Sequence, residues 1–188
     1  MNLKIADKYL LAHQNLFSKL DLEDFDQAIE IISSVYKSGK KIITCGNGGS
    51  ANTASHYITD WNKMVPLATG EKFRGVSLCD PIGLITAYAN DISYEDVFSG
   101  QIDGLMDEGD LLIAISGSGN SLNVINAIEA ARRAKGVVLG VVGYDGGKIL
   151  PMCDHSVWIK SFDMQLCEDM HLMFGHMVSK SLCGYPIK

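Results

Sequence analysis

The sequence has no long apolar run, no closely paired cysteines and no concentrated basic charge. No apolar stretch approaches the roughly 20 residues needed to cross a bilayer, so a membrane partner is not expected. The residues from Met1 to Lys8 mix apolar with charged and polar groups, which is unlike a signal peptide. The five cysteines form no CxxC pair and have apolar neighbours, which predicts reduced, mostly buried thiols. These absences together indicate a cytoplasmic protein.

Basic residues are outnumbered, with 16 lysines and arginines against 22 aspartates and glutamates, and the formal net charge is -6. The densest basic cluster, residues 132–135, lies where a helix is expected to end, and cations there complement the helix dipole. Nucleic acid is therefore not an expected partner. No linker, low-complexity segment or tandem repeat is visible. We therefore predict one domain over 1–188, with a helical region over 1–38 and an α/β core over 39–188.

Apolar segments of two kinds alternate along the chain after residue 39. Nearly continuous apolar runs are typical of parallel strands covered on both faces, and they occur at 41–45, 74–79, 111–115, 137–142 and 156–160. Apolar residues at helical spacing predict helices over 50–63, 81–90, 93–106, 121–135 and 163–183. Two earlier helices, 5–17 and 21–37, must bury an apolar stripe on this sheet or on another subunit. The pattern predicts a three-layer α/β sandwich, with helices on both faces of a parallel sheet.

Two loops rich in Gly, Ser and Asn follow buried strands and open into helices. They are residues 46–50 and residues 116–121. Glycines let the backbone approach a ligand, and hydroxyl groups and a helix N-terminus both favour an anion. Neither loop has the lysine of a P-loop or the glycine spacing of a dinucleotide-binding fingerprint. One such loop alone is an ordinary capped turn, but the pair predicts a phosphate site at the carboxyl end of the sheet.

Titratable side chains cluster on two of the predicted helices. His56 and Asp60 are four residues apart and share a helix face, so they could bind a metal ion or act as an acid–base pair. Such pairs are also common on ordinary protein surfaces. Glu168 and His176 lie about 80° apart around the last helix and about 12 Å apart along it. They converge only through long side chains, a bend at Gly175 or two subunits, and the alternative is a core helix with satisfied polar groups.

Beyond the two loops, short motifs follow one another in a fixed order from about residue 41 to residue 176. They are 45–50 with a histidine downstream, 90–91, 98–101, 115–121 with 123–124, 153–155, and 168–171 with His176. Together these motifs resemble the sugar isomerase (SIS) domain family, and most closely its bacterial phosphoheptose isomerases, which act on sedoheptulose 7-phosphate. The resemblance implies a SIS/flavodoxin-like five-stranded parallel sheet. It also implies a homotetramer with the N-terminal helices in its core and active sites between subunits.

The resemblance also implies roles for particular residues, with a phosphorylated sugar as the substrate and no organic cofactor. The implied substrate-binding and phosphate-binding residues are Asn47, Gly48, Ser50, Asp91, Ser116, Gly117, Ser118, Ser121 and Gln165. The family's metal or catalytic quartet falls on His56, Asp60, Glu168 and His176, which implies a site for Zn²⁺ or another divalent cation. Three positions depart from the family pattern, because Asp60 replaces Glu, Glu168 replaces Gln and Gly117 replaces Thr.

An aldose–ketose isomerase is the implied activity, with proton transfer between neighbouring carbons through an enediol(ate). We expect Asp60 or Glu168 to be the base and His176 the acid, with His56 holding a metal ion or the substrate. Two alternatives stay open. One is a non-catalytic SIS protein that binds a sugar phosphate or acts as an adaptor, like the relative that associates with the bacterial replication initiator. The other is an isomerase of another phosphosugar, which the three departures from the family pattern leave open.

Overall fold

The computed structural model describes residues 4–187. The chain begins with two helices, α1 (Ile5–Phe17) and α2 (Leu22–Lys37). The strands that follow are β1 (Ile42–Cys45), β2 (Gly75–Ser77), β3 (Leu111–Ser116), β4 (Val137–Val142) and β5 (His155–Trp158). The helices between and after them are α3 (Gly49–Thr69), α4 (Ile82–Asp91), α5 (Ser99–Asp103), α6 (Leu122–Arg133) and α7 (Met164–Cys183). Short 3-10 turns lie at Tyr94–Asp96 and Leu150–Met152.

The five strands form one parallel sheet in the order β2-β1-β3-β4-β5. β1 and β3 are neighbours, with Ile42 opposite Leu111 and Cys45 opposite Ala114. Every residue of these two strands is buried, because helices cover both faces of the sheet. The expected three-layer α/β fold around a parallel five-stranded sheet is therefore confirmed.

Alternate strand residues point into two separate hydrophobic cores. Ile42 and Ile113 belong to the core that packs against α2, α3 and α7, whereas Ile43 and Leu112 belong to the core under α5 and α6. Two polar bonds also join α3 to α7. The Tyr57 hydroxyl donates to the carbonyl of residue 171, and the indole N–H of residue 61 donates to the carbonyl of residue 175 at 3.1 Å. These bonds fix the two helices that carry the titratable clusters.

The prediction of a single helix over 93–106 is wrong. The chain instead makes the 3-10 turn Tyr94–Asp96, bends, and forms the short helix α5. Local side-chain bonds account for the break, because they compete with the helical backbone ladder. The Ser93 hydroxyl accepts from the backbone N–H of residue 95, and the Ser99 hydroxyl donates to both the carbonyl and the carboxylate of Asp96.

Helix α3 runs six residues beyond the predicted end at 63, through Pro66, and stops at Gly70 in the left-handed conformation. The buried side chains of Trp61 and Val65 hold this last part against the core. None of the helices formed by residues 4–187 combines the length and the apolar character needed to cross a bilayer.

Helix α1 and helix α2 both lie within the predicted helical region 1–38. Of the residues that form α1, Leu16 alone is buried, whereas Ile5 and Leu10 are 81% and 63% exposed. An apolar stripe on α1 is thus left uncovered by the described part of this one chain. The division at residue 38 and the single-domain interpretation stay predictions.

Candidate active site

The two loops meet at the topological switch point of the sheet, between β1 and β3. From β1 the chain enters α3 on one face of the sheet, and from the neighbouring β3 it enters α6 on the other face. A crevice opens between the carboxyl ends of two such strands, which is where open α/β sheets bind ligands. The strand order therefore explains why two loops that are far apart in sequence share one site.

A cavity of about 270 Å³ occupies this crevice. Its walls come from both loops and from the start of α7, and they comprise Asn47, Gly48, Gly49, Ser50, Ile115, Ser116, Gly117, Ser118, Ser121, Met164 and Glu168. All the predicted residues of the two loops and the predicted Glu168 thus line the same cavity.

Two hydroxyl groups of the second loop accept hydrogen bonds from the loop backbone, which leaves their own O–H hydrogens able to donate to a ligand. The Ser116 hydroxyl accepts from the backbone N–H of Gly119 at 3.1 Å, and the Ser118 hydroxyl accepts from that of residue 120 at 3.3 Å. Ser121 is the N-cap residue of α6, yet its side chain caps no backbone N–H. Gly119 has φ +66°, and an added Cβ would collide with the carbonyl of residue 146, so this loop requires glycine there. The Ser121 hydroxyl and the start of α6 are thus available to an anion.

Two side chains of α7 lie directly over loop glycines. An added Cβ at Gly49 would collide with the Glu168 carboxylate, and one at Gly117 would collide with the Met164 sulfur. The Glu168 carboxylate therefore lies beside the first residue of α3. Met164 fills the space that a side chain at position 117 would take, which accounts for glycine at that position.

A second cluster, formed by His56, Asp60 and His176, lies outside the cavity lining. The two histidine Nε2 atoms are 3.1 Å apart, and His56 Nε2 is 3.4 Å from Asp60 Oδ2. One ligand atom from each side chain lies within 4.8 Å of the others. Ligand atoms around tetrahedral Zn²⁺ are about 3.3 Å apart, given metal–nitrogen bonds of about 2.0–2.1 Å, so these three donors fit a divalent cation.

The predicted quartet is only partly assembled within one chain. Glu168 does not join the cluster of the other three residues, because it lies eight residues before His176 on a continuous α7, about 12 Å along the helix. Asp91 is exposed and lines a different cavity, of about 260 Å³, together with Tyr88 and Ile92. Gln165 is exposed as well, and its side chain does not line the cavity between the loops.

Several residues of the site escape prediction from the sequence. Asn123, in the first turn of α6, exchanges two hydrogen bonds with Asn47, and Tyr94 donates a third to Asn47. Met164 forms a wall of the cavity. Asn123 could have been identified from the sequence, because it lies two residues after Ser121. Tyr94 and Met164 reach the site only through the tertiary fold.

Burial perturbs several titratable groups near the site. Cys45 ends β1 just before the first loop, and burial raises the pKa of its thiol well above the usual value. His171 lies on α7 between the two clusters, and burial lowers the pKa of its imidazole to about 4. All five cysteines are free thiols, two of them buried and three partly buried. Among the described residues, the cluster at His56 is the group that best suits a cation.

Comparisons with known proteins identify the family of this chain. The family model of the SIS domain matches residues 8–143. Phosphoheptose isomerases from Aliarcobacter butzleri and Helicobacter pylori are 37% and 36% identical to this chain over 174 and 179 residues. These alignments cover 91% and 93% of this chain, and 92% of each relative.

Solved structures of similar proteins share the fold. A phosphoheptose isomerase from Neisseria gonorrhoeae has a TM-score of 0.85 at 31% identity, and the match covers 95% of this chain and 96% of that one. One from Francisella tularensis has a TM-score of 0.87 at 23% identity, covering 97% and 100%, and it supports the fold alone. The family resemblance inferred from the motifs is confirmed.

Proposed function

Because the chain belongs to the SIS domain family, we propose that it is a phosphoheptose isomerase that interconverts sedoheptulose 7-phosphate and an aldoheptose 7-phosphate. The observation that carries the proposal is one cavity that joins the two loops rich in Gly, Ser and Asn to the carboxylate of Glu168. An isomerase needs both parts, a phosphate anchor and a base beside the reacting carbons. A cytoplasmic location and a role in sugar phosphate metabolism are part of the same proposal.

The phosphate binds at the second loop rather than the first. The Glu168 carboxylate already lies against Gly49 at the start of α3, and it would repel a phosphate placed there. At the start of α6 the uncommitted Ser121 hydroxyl and the helix dipole both attract the phosphate. The sugar chain then extends from Ser121 toward Glu168. Binding energy at this remote anchor orients the reacting carbons.

Glu168 is the base in this proposal, since it lines the cavity whereas Asp60 does not. Its carboxylate removes a proton from the carbon next to the carbonyl and returns it to the neighbouring carbon. Reprotonation of oxygen needs an acid, and His176 takes that role. In one chain His176 lies about 12 Å along α7 from Glu168, so the two converge through a neighbouring subunit.

A homotetramer is part of the proposal, with α1 and α2 in the assembly core. The exposed apolar side chains of α1 support it, because burial against another subunit would remove them from water. His56, Asp60 and His176 would hold a divalent cation such as Zn²⁺, and His176 would then act as the acid through its Nδ1–H, because its Nε2 would be bound to the cation. Such a cation, when bound, polarises a carbonyl oxygen of the substrate.

A coupled isomerase assay with purified protein and sedoheptulose 7-phosphate tests the function. Replacing Glu168 by the isosteric amide, E168Q, should lower kcat by about 10²–10⁴-fold, the usual contribution of a general base. The matched control is E129Q, a change of the same kind at an exposed position of α6. A wild-type kcat in E168Q would show that Glu168 is not the base and would leave Asp60 as the candidate. Phosphate binding without turnover of any sugar phosphate by the unaltered protein would favour a non-catalytic binding protein.

Metal content provides a second test of the same proposal. Protein purified without chelator should contain about one divalent ion per chain by elemental analysis, and H56A should lose it. Unchanged turnover after complete removal of metal would refute the proposed role of the cation. Unchanged turnover in H176A would likewise remove His176 as the acid.

A further inference from the structure

The two loops of the site are tied together by a reciprocal pair of amide side chains. Asn47 Nδ2 donates to Asn123 Oδ1 at 2.8 Å, and Asn123 Nδ2 donates to Asn47 Oδ1 at 2.9 Å. Asn47 belongs to the first loop, and Asn123 to the first turn of α6 behind the second loop. Two parallel bonds fix both the distance and the relative orientation of their carriers, which a single bond does not do.

Burial makes this pair stronger and less replaceable than a surface contact. Asn123 is 3% exposed, so water cannot take over its bonds when the partner is lost. The Tyr94 hydroxyl donates a further bond to Asn47 Oδ1 at 2.9 Å. The side-chain oxygen of Asn47 thus accepts two hydrogen bonds, and one hydrogen of its side-chain amide is donated to Asn123. One amide hydrogen of Asn47 is left for a ligand, so most of this side chain serves the protein itself.

Tyr94 extends the connection to a third segment. The preceding helix α4, all of whose residues the structure describes, contains no buried residue. Tyr94 belongs to the 3-10 turn that follows α4, so its bond to Asn47 links this turn to the first loop. Asn126, one turn after Asn123 on α6, also approaches this segment, since its Nδ2 donates to the carbonyl of residue 95 at 3.1 Å.

We propose that Asn123 is a positioning residue for the isomerase reaction, with Tyr94 as its accessory. Asn123 holds the first loop in register with the start of α6, so that Glu168, which lies over Gly49, faces the reacting carbons of a sugar whose phosphate is held at Ser121. This proposal rests on the proposed function. It assigns to Asn123 an effect on the geometry of proton transfer and no contact with the substrate.

Loss of the pair should separate kcat from KM. The phosphate anchor comprises the Ser121 hydroxyl and backbone N–H groups at the start of α6, and a change in the Asn123 side chain leaves these in place. A displacement of about 1 Å between base and carbon can cost about 10²-fold in rate. We therefore expect N123A to lower kcat by about 100-fold and to change KM for sedoheptulose 7-phosphate by less than about threefold.

Two other variants make the test decisive. Y94F removes one bond to Asn47 through an exposed hydroxyl, so it should fold normally and lower kcat by about fivefold with KM unchanged. E129A is the control, because it truncates an exposed side chain on the same helix and should leave kcat within about twofold. If N123A fails to fold, as judged by its thermal unfolding, the kcat of Y94F alone decides the proposal.

Several results would overturn the proposal. These are wild-type kcat in folded N123A, a rise in KM with unchanged kcat, equal losses in N123A and E129A, or, where N123A does not fold, wild-type kcat in Y94F. Failure of the proposed function is distinguishable, because it appears as absent turnover in the unaltered protein and overturns both proposals together. Turnover in the unaltered protein with unchanged kcat in N123A refutes the positioning role alone.

Discussion

Acid should destabilise this protein through His171, a buried imidazole on α7. His171 is 1% exposed, and neither of its ring nitrogens has a hydrogen-bond partner among residues 4–187. Burial lowers the pKa of His171 from 6.5 to about 4, and the nearby backbone of Val142 opposes that shift in part. The unfolded chain therefore takes up a proton at a higher pH than the folded chain does. Stability that is present above about pH 6.5 is lost as the pH falls toward 4.

The size of this loss follows from the difference in pKa. Folded and unfolded pKa values about 2.5 apart, at about 1.4 kcal/mol for each pH unit, set an upper limit of about 3.4 kcal/mol. Proton linkage gives a loss of about 2 kcal/mol at pH 5 and about 3 kcal/mol at pH 4, relative to pH 7.5. Such a loss is large beside the roughly 5–15 kcal/mol by which proteins are usually stable.

Urea unfolding of the wild-type protein and of H171L, at several pH values and one fixed protein concentration, measures the effect. Leucine removes the titrating group and keeps the site apolar, and acidic groups common to both proteins cancel in the difference. The stability of the wild type relative to H171L should fall by about 2 kcal/mol between pH 7.5 and pH 5. A difference between the two proteins that does not change with pH would refute the reasoning.

Two other substitutions test contacts described above. G117T should collide with the Met164 sulfur and raise KM for the sugar phosphate by about tenfold or more, whereas G117T/M164A should recover much of the binding; additive effects in the isomerase assay would contradict this. D110A should lower the free energy of unfolding by about 3 kcal/mol, because Asp110 is buried, accepts from the backbone N–H groups of Lys41 and Asp107, and pairs with the Lys41 ammonium at 2.8 Å. D110N, which keeps an acceptor oxygen, should lose less, and equal losses in urea unfolding would count against the hydrogen bonds.

Strands were predictable because their environment leaves a direct mark on the sequence. Residues 111–115 and 137–142 are apolar almost throughout, and the structure places β3 and β4 there, buried on both faces. The helix expected over 93–106 failed for the opposite reason. Bonds made by the Ser93 and Ser99 side chains decide the local backbone, and hydrophobic spacing carries no information about them.

The site was predictable to the extent that its residues are close in sequence. Loop composition indicated the anion site, and helical spacing joined His56 to Asp60. Contact between His56 and His176 depends on how α3 packs against α7, which no local pattern reports. The bond between Asn47 and Asn123 spans 76 residues for the same reason. The separation of Glu168 from His176, in contrast, was predictable from the sequence, because helix geometry alone places them far apart along one helix.

Residues of three segments, 47–50, 115–121 and 164–168, contribute walls to the cavity between the loops. During synthesis the cavity is incomplete until the start of α7 has left the ribosome. Nascent chains that end before residue 164 therefore lack one wall of the site for a sugar phosphate. Occupancy is consequently coupled to the whole polypeptide rather than to one segment. A ligand present at a hundred times its Kd would protect all three stretches together, by about 2.7 kcal/mol, from opening and from proteolysis.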